Sequence, residues 1–172
     1  MKNLLEDKKA KSKSFFLNSS KDFFKKKHIN FLIKYYKKRK KDVRICLHKN
    51  QQDRHHDMII LQQKKNLYRP HKHIKKGETY HIIKGSMACV LFNNKGNITR
   101  ICKIKKNDIF RTPVNTFHTM APLSKYVIYH ESKTGPFLKK NDSIFSLWSK
   151  SLTKKELDIK IKKKLINTNE KI

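Results

Sequence analysis

The sequence predicts an all-β domain with a short helical region before and after it. Between about residue 43 and residue 149, short apolar runs alternate with clusters of Gly, Asn, Pro and Lys, which is typical of strands joined by turns. On either side of this region, Lys is abundant and the apolar residues recur at helical spacing. Many short strands at this spacing indicate a sandwich, a barrel or a jelly roll.

The chain has 172 residues, which is a length suited to one domain with extensions. The change of character divides it into three predicted regions. Residues 1–42 form a Lys-rich extension that is partly helical, residues 43–149 form the β domain, and residues 150–172 form a Lys-rich helix or tail. The first helix is predicted over 22–38, and one side of it carries Phe24, Leu32 and Tyr35.

The C-terminal helix is predicted from its start signal. Thr153 and Glu156 form a capping-box pattern. Apolar residues then follow at four-residue intervals, namely Leu157, Ile161 and Leu165.

Six strands are predicted inside the β domain, over residues 58–61, 79–83, 87–92, 98–104, 108–112 and 126–131. The turn Asn93-Asn94-Lys95-Gly96 predicts a hairpin, because Asn and Gly tolerate a positive φ angle. Gly85 ends one apolar run and permits a tight turn before the next.

The formal net charge of +30 suggests an anionic partner when it is taken alone. However, only 6 of the 43 basic residues are Arg, whereas base recognition and bidentate phosphate binding favour Arg. Lys, Asn and Ile are abundant together, as in proteins from genomes rich in A and T. We therefore do not expect nucleic acid to be the main partner.

The cysteines and the length of the apolar runs indicate the cellular compartment in which the protein is expected. Cys46, Cys89 and Cys102 have no spacing typical of a zinc or redox motif, so we expect small buried thiols in a reducing compartment. No apolar run approaches the ~20 residues that span a bilayer, and the N-terminus lacks a secretory signal. A cytoplasmic location is expected.

A candidate metal site begins with the segment from His71 to Glu78. His71 and His73 are separated by one residue, so on an extended strand both imidazoles point to the same side. Glu78 follows a short bend and begins the next apolar run, so a hairpin could bring its carboxylate beside the two rings.

A third imidazole is offered by His118, after a turn set up by Pro113 and Asn115. Three imidazoles and one carboxylate leave one or two positions open on a five- or six-coordinate ion, as in catalytic sites. The ligand types are compatible with one divalent ion of Fe, Mn, Zn, Ni or Co and do not choose among them.

These residues lie in motifs that resemble those of the cupin superfamily. His-x-His, four residues, Glu, six residues and Gly is similar to its first motif, and Pro-x-Asn-x-x-His to its second, with Asn115 where Gly is usual. Longer matches over roughly residues 29–149 resemble the WbuC-type cupin-fold metalloproteins, namely RICLH (44–48), HDMII (56–60), YRPHKH (68–73), ETYHIIKG (78–85), FHTMAP (117–122) and HESKTGPF (130–137).

The resemblance implies a cupin double-stranded β-helix, or jelly roll, with His71, His73, Glu78 and His118 as metal ligands. Members of the family often occur among genes for O-antigen or other surface-polysaccharide synthesis, and no reaction is settled for them. An activated sugar or similar small polar metabolite is therefore the expected substrate or ligand, with a nucleotide sugar as one candidate. A homodimer is a candidate assembly.

Further side chains are candidates for roles around the metal. His130, Glu131 and Tyr80 are candidate proton carriers in catalysis. Candidate substrate contacts are Arg44, Arg69, Arg111 and His48, since guanidinium groups bind phosphate or carboxylate well. Each of these residues has a structural alternative, as a core group, a surface ion pair or a solvated side chain.

Three classes of function remain open at this point. The first is a metal-dependent enzyme, either an isomerase, epimerase or lyase, or an oxygenase. The second is a metal-containing binding module without turnover. The third is a basic surface that binds nucleic acid or membrane, with the β domain as a scaffold.

Overall fold

The computed structural model describes residues 3–10, 12–18, 23–138 and 141–169. It contains ten strands, namely β1 (Leu4–Glu6), β2 (Lys13–Leu17), β3 (Val43–Cys46), β4 (His55–Gln63), β5 (Glu78–Lys84), β6 (Ser86–Phe92), β7 (Ile98–Lys105), β8 (Ile109–Thr112), β9 (Phe117–Pro122) and β10 (Tyr126–Thr134). The helices are α1 (Lys26–Arg39), α2 (Leu147–Ser151) and α3 (Lys154–Asn169).

The strands form two sheets with the topology of a jelly roll. The first sheet has the order β1-β2-β3-β4-β10-β5-β8, and the second has the order β7-β6-β9. A bridge between His71 and His118 adds the segment before β5 to the free edge of β9. One layer then has the order β4-β10-β5-β8, and the facing layer has the order β9-β6-β7 with the segment around His71 added beside β9. This is the arrangement of an eight-stranded double-sheet jelly roll, so the predicted fold class is confirmed.

The sequence-predicted strands correspond to β4 to β8 and to β10, although most of these strands are longer than predicted. The hairpin between β6 and β7 is present, and the Gly96 amide donates to the Asn93 carbonyl at 3.0 Å. Gly85 has a φ of +85°, and a Cβ there would lie 2.5 Å from Ser124 Oγ, so only Gly fits this turn.

Two helices cover the outer faces of the sheets. The helix α1 places Leu32 and Tyr36 on the outer side of the first sheet, against Ile45, Leu61 and Ile128. The helix α3 places Leu157 and Ile161 against the outer side of the second sheet. Both helical regions are therefore confirmed, whereas the regional boundaries at residues 42/43 and 149/150 stay predictions.

The interior between the sheets is apolar at one end and polar at the other. Its apolar part includes Met58, Ile82, Met87, Met120 and Tyr129. Successive strand residues point to opposite faces, so Glu131 and Lys133 of β10 share the inner face with Tyr129. Among the described residues, no helix is both long enough and apolar enough to cross a membrane.

Candidate metal centre

The backbone brings two distant segments together at the polar end of the interior. The amide of His71 donates to the carbonyl of His118 at 3.1 Å, and the amide of His118 donates to the carbonyl of His71 at 2.8 Å. Residues that exchange both bonds lie directly opposite each other, and their ring centroids are 4.8 Å apart. Asn115, with a φ of 57°, turns the chain into β9, and its amide donates to the His73 carbonyl at 2.8 Å.

Glu78, the first residue of β5, supplies the carboxylate between the rings. Its Oε1 lies 3.0 Å from His73 Nε2, and its Oε2 lies 2.9 Å from His118 Nε2. One donor atom from each of the four residues lies within 4.8 Å of the others, the fourth being from His71. Glu78, His73 and His118 are each only 2% exposed. The structure thus brings together all four ligands predicted from sequence.

Each of the three imidazoles is oriented in the same way by the main chain. His71 Nδ1 lies 3.0 Å from the Arg69 carbonyl, and His118 Nδ1 lies 2.8 Å from the Thr116 carbonyl. His73 Nδ1 makes the equivalent contact with the Asp142 carbonyl. A carbonyl oxygen only accepts, so Nδ1 of each ring donates a proton to it, and Nε2 is the nitrogen left to face the cluster. His118 Nε2 lies within hydrogen-bonding distance of Glu78 Oε2.

The Nε2 atoms of His73 and His118 each face one oxygen of the Glu78 carboxylate, so a proton or a metal ion must lie between nitrogen and oxygen in each pair. His73 Nε2 lies close to Glu78 Oε1 without the geometry of a hydrogen bond, and it has no other partner among the described residues. Lone pairs and carboxylate oxygens repel unless a proton or a metal ion lies between them. Nitrogen and oxygen donors in this number suit a divalent transition metal, so the residues present fit such an ion.

The electrostatics around Glu78 favour its ionised form. Burial opposes ionisation, but Lys133 and the imidazoles of His118 and His73 outweigh it and hold the pKa of Glu78 well below its usual range. Burial also opposes charge on His73, but contact with Glu78 raises the pKa of that ring. For His71, burial and the neighbouring His118 lower the pKa to about 4.

Of the candidate catalytic residues, the structure brings two to the cluster and leaves one away from it. Tyr80 donates its hydroxyl to Glu78 Oε2 at 2.6 Å, and Glu131 lies opposite Tyr80 on the inner face of the sheet. His130 is on the outer face of β10, where its Nε2 lies 2.8 Å from Asp57 Oδ1. The alternation of the strand excludes His130 from the interior.

The candidate substrate contacts are similarly divided. Arg44 lies opposite Ile60 on the inner face, and its Nε donates to Ser14 Oγ at 3.1 Å. His48 stacks on His56 at the rim, with ring centroids 4.1 Å apart. Arg69 and Arg111 are exposed, and Arg111 shares the outer face with Thr79, so the structure does not bring these two to the cluster.

A cavity of about 470 Å³ has none of the four predicted ligands in its lining. It is lined by Leu47, His48, Asp53, Arg54, His55 and Asp57. Of the residues singled out in the sequence as substrate contacts, only His48 contributes to it. The cavity therefore does not enclose the cluster.

Sequence reasoning missed three charged residues that surround the cluster, namely Lys133, Lys76 and Asp142. Lys133 donates to Glu78 Oε1 at 3.0 Å, and Lys76 donates to Asp142 Oδ1 at 2.6 Å. Asp142 also orients His73 through its carbonyl. One signal was available for Lys133, since it lies two residues after Glu131 and so shares its face of the strand.

A comparison with family models finds one match. A family described as a domain of unknown function (DUF6016) matches residues 35–104, which is less than half of the chain. No curated protein matches.

Solved structures with similarity to the chain are cupin-fold proteins. KdgF from Halomonas sp. is 13% identical, with a TM-score of 0.46, over 58% of this chain and 83% of that one. The Schizosaccharomyces pombe Cnp3 cupin domain is 11% identical, with a TM-score of 0.47, over 58% and 64%. The capsular polysaccharide assembling protein CapF from Staphylococcus aureus is 15% identical, with a TM-score of 0.46, over 55% and 27%.

The chain therefore covers less than two thirds of the Cnp3 and CapF chains. Identities this low bear on the fold alone, and the assignment of a jelly roll rests on the strand order described above. The resemblance to the WbuC-type family stays a prediction.

Proposed function

We propose that the chain is a cupin-type metalloprotein in which His71, His73, Glu78 and His118 bind one divalent transition-metal ion. One observation carries the proposal: three imidazoles, each oriented by an Nδ1 contact to a carbonyl, converge with a buried carboxylate. When bound, the ion would act as a Lewis acid on an oxygen of a coordinated ligand.

The chain's own residues provide the setting for a small polar ligand. Tyr80 holds Glu78 in place through its hydroxyl, and Glu131 and Arg44 add polar groups to the inner face of the barrel. We propose an activated sugar, such as a nucleotide sugar, as the ligand, in line with the resemblance to proteins of surface-polysaccharide metabolism. The divalent ion, a homodimer and a cytoplasmic location belong to the same proposal.

A binding module without turnover is the second candidate function. The observation that favours it is the burial of the cluster, since three of its four residues are almost fully enclosed. Enclosure limits the access of a bulky substrate and is compatible with a site that binds a ligand and does not convert it.

The metal site is tested by elemental analysis of protein purified without added metal. We expect about one equivalent of a divalent ion in the wild type, because the donor set offers one mononuclear site. His71→Ala should lose most of it. His81→Ala is the matched control, since His81 lies on the outer face of β5. A metal content near zero, or equal content in wild type and His71→Ala, would overturn the proposal.

The ligand is tested with a panel of nucleotide sugars and the metal-loaded protein, followed by NMR and mass spectrometry. Conversion that requires the metal supports the enzyme. Saturable binding without any product after prolonged incubation supports the module. The absence of both binding and conversion contradicts the proposed sugar ligand. It does not affect the metal site, which is tested by elemental analysis.

A further inference from the structure

Lys133 is a buried cation that directly adjoins the candidate metal centre. It lies on the inner face of β10, opposite Glu78 of β5 on one side and His56 of β4 on the other. Its side chain is 13% exposed. Glu78 Oε1 is 3.0 Å from Lys133 Nζ and also 3.0 Å from His73 Nε2, so one oxygen joins this cation to the ligand cluster.

The ammonium group has more donors than the surrounding residues use. It can donate three hydrogen bonds. Among the described residues it makes one, to Glu78, because the carboxylates of Glu131 and Asp142 lie 3.6 Å and 3.7 Å away, beyond hydrogen-bonding distance. A buried charge with unused donors is costly unless a further acceptor approaches it.

The neighbouring residues keep this group charged. Three carboxylates surround its Nζ, with oxygens of Glu78, Glu131 and Asp142 at 3.0 Å, 3.6 Å and 3.7 Å. His56 of β4 lies opposite Lys133 and is buried, and its Nε2 atom has no partner among the described residues. This part of the inner face therefore holds polar groups that the described residues leave unsatisfied.

A bound metal ion would change what Lys133 needs. Glu78 accepts the one hydrogen bond that Lys133 makes. An ion bound to Glu78 would neutralise part of the carboxylate charge and so weaken that hydrogen bond. An acceptor with its own negative charge, bound beside the ion, would restore a partner to the ammonium group. Charge-assisted hydrogen bonds of this kind are about twice as strong as neutral ones.

We propose that Lys133 makes the site specific for ligands with a negatively charged group, a carboxylate or a phosphate, bound beside the metal ion. The inference rests on the proposed function, because it needs the ion at the four ligands. It goes beyond that function by naming the chemical group that the site selects and the residue that selects it.

The test uses the full-length protein loaded with Co²⁺, whose visible absorption reports changes in its coordination. Metal binding is measured first, so failure at this step contradicts the metal site itself and not the role of Lys133. Acetate and inorganic phosphate are then titrated separately, which distinguishes a carboxylate from a phosphate. Acetamide, the uncharged analogue of acetate, is titrated in parallel.

In the wild type, we expect acetate or phosphate to bind at least about tenfold more tightly than acetamide. Lys133→Met, which keeps the length of the side chain without its charge, should lose this preference, and Lys133→Arg should keep most of it. The exposed Lys105 of β7 supplies the control variant Lys105→Met, which should behave as wild type.

The affinity for Co²⁺ separates this role from a merely structural one. Lys133 competes with the ion for Glu78, so Lys133→Met should bind Co²⁺ as tightly as the wild type or more tightly. A structural residue would weaken metal binding when it is removed. If Lys133→Met does not fold, Lys133→Gln replaces it as the variant without the charge. Equal affinities of the wild type for acetate and acetamide, or unchanged anion binding in the folded variant without the charge, would overturn the proposal.

Discussion

At the scale of single residues, Glu78 has a polar contact with each of four other side chains. Lys133 and His73 approach its Oε1, and Tyr80 and His118 approach its Oε2. No other type of side chain offers two anionic oxygens at this length. It also contacts groups from both sheets, Lys133 of β10 and His118 of β9, so its replacement affects more than one contact.

We expect Glu78→Gln to weaken metal binding by more than about 100-fold, because loss of an indirect contact alone costs 10-fold to 100-fold. Competition with a chelator of known affinity measures the change. Glu131→Gln is the control, since Glu131 is a nearby carboxylate outside the four-residue cluster, and it should change the affinity less than about tenfold. Equal effects of the two variants would contradict the assignment of Glu78 as a ligand.

The contact with Glu78 also sets a pH dependence. The pKa of His73 is raised, so a proton occupies its Nε2 at higher pH than in a free imidazole and competes with the metal. Apparent metal affinity should therefore fall as pH drops through and below this raised pKa, by about tenfold per pH unit for each proton displaced. Titrations between pH 6 and pH 8 test this, and an affinity that rises towards acid pH would contradict it.

At the scale of secondary-structure elements, α3 shows how packing against a sheet stabilises a helix in a Lys-rich segment. Leu157 and Ile161 lie four residues apart on one side and are 2% and 3% exposed. Ile159, on the opposite side of the same helix, is 55% exposed. The helix is thus stabilised by a narrow apolar stripe against the second sheet, which contributes Val90 and Phe117.

This contrast provides a matched pair of variants on one helix. Ile161→Ala should lower the free energy of unfolding by about 2–5 kcal/mol, because it leaves a cavity in a packed contact. Ile159→Ala should change it by less than about 0.5 kcal/mol. Urea denaturation measures both values. Equal effects would show that α3 does not pack on the sheet.

Several elements were predictable from local sequence, and others were not. The strands β4, β6 and β10 contain apolar runs that are visible without the fold. The strand β9 was not among the six predicted strands, because Phe117–Pro122 contains polar residues and a proline. Every residue of it is buried. The strand β2 lies in a Lys-rich segment, and its pairing with β3 joins residues about 30 positions apart.

In the candidate site too, some residues were predictable from short motifs, and others reach the cluster only through the fold. The four ligands lie in two short motifs, so their spacing alone was informative. Asp142 and Lys133 reach the cluster only through the register of β10 and the path of the chain after it. In a chain so rich in Lys, composition could not distinguish Lys133 from the solvated lysines.

At the scale of the whole molecule, the net charge of +30 opposes the compact state. Only 13 acidic residues are present for 43 basic ones, and some of the acidic residues are used inside the barrel, as Glu78 and Asp142 are. Most surface lysines are therefore close to other lysines, and folding brings these like charges together.

We expect the melting temperature to rise when NaCl is increased from 0.01 M to 0.15 M, because the screening length falls from about 30 Å to about 8 Å. Differential scanning fluorimetry measures the change, and a neutral osmolyte at matched osmolality is the control. A melting temperature that is independent of salt, or lower at 0.15 M, would contradict the role assigned to surface repulsion.

The position of the four ligands has a consequence for the mechanics of the fold. Glu78 belongs to the first sheet, His118 belongs to the second, and His71 and His73 lie on the segment that joins the edge of the second sheet. An ion held by all four would act as a cross-link between the two layers of the sandwich. Without the ion that cross-link is absent, so we expect the two layers to separate more often at that end in the metal-free protein.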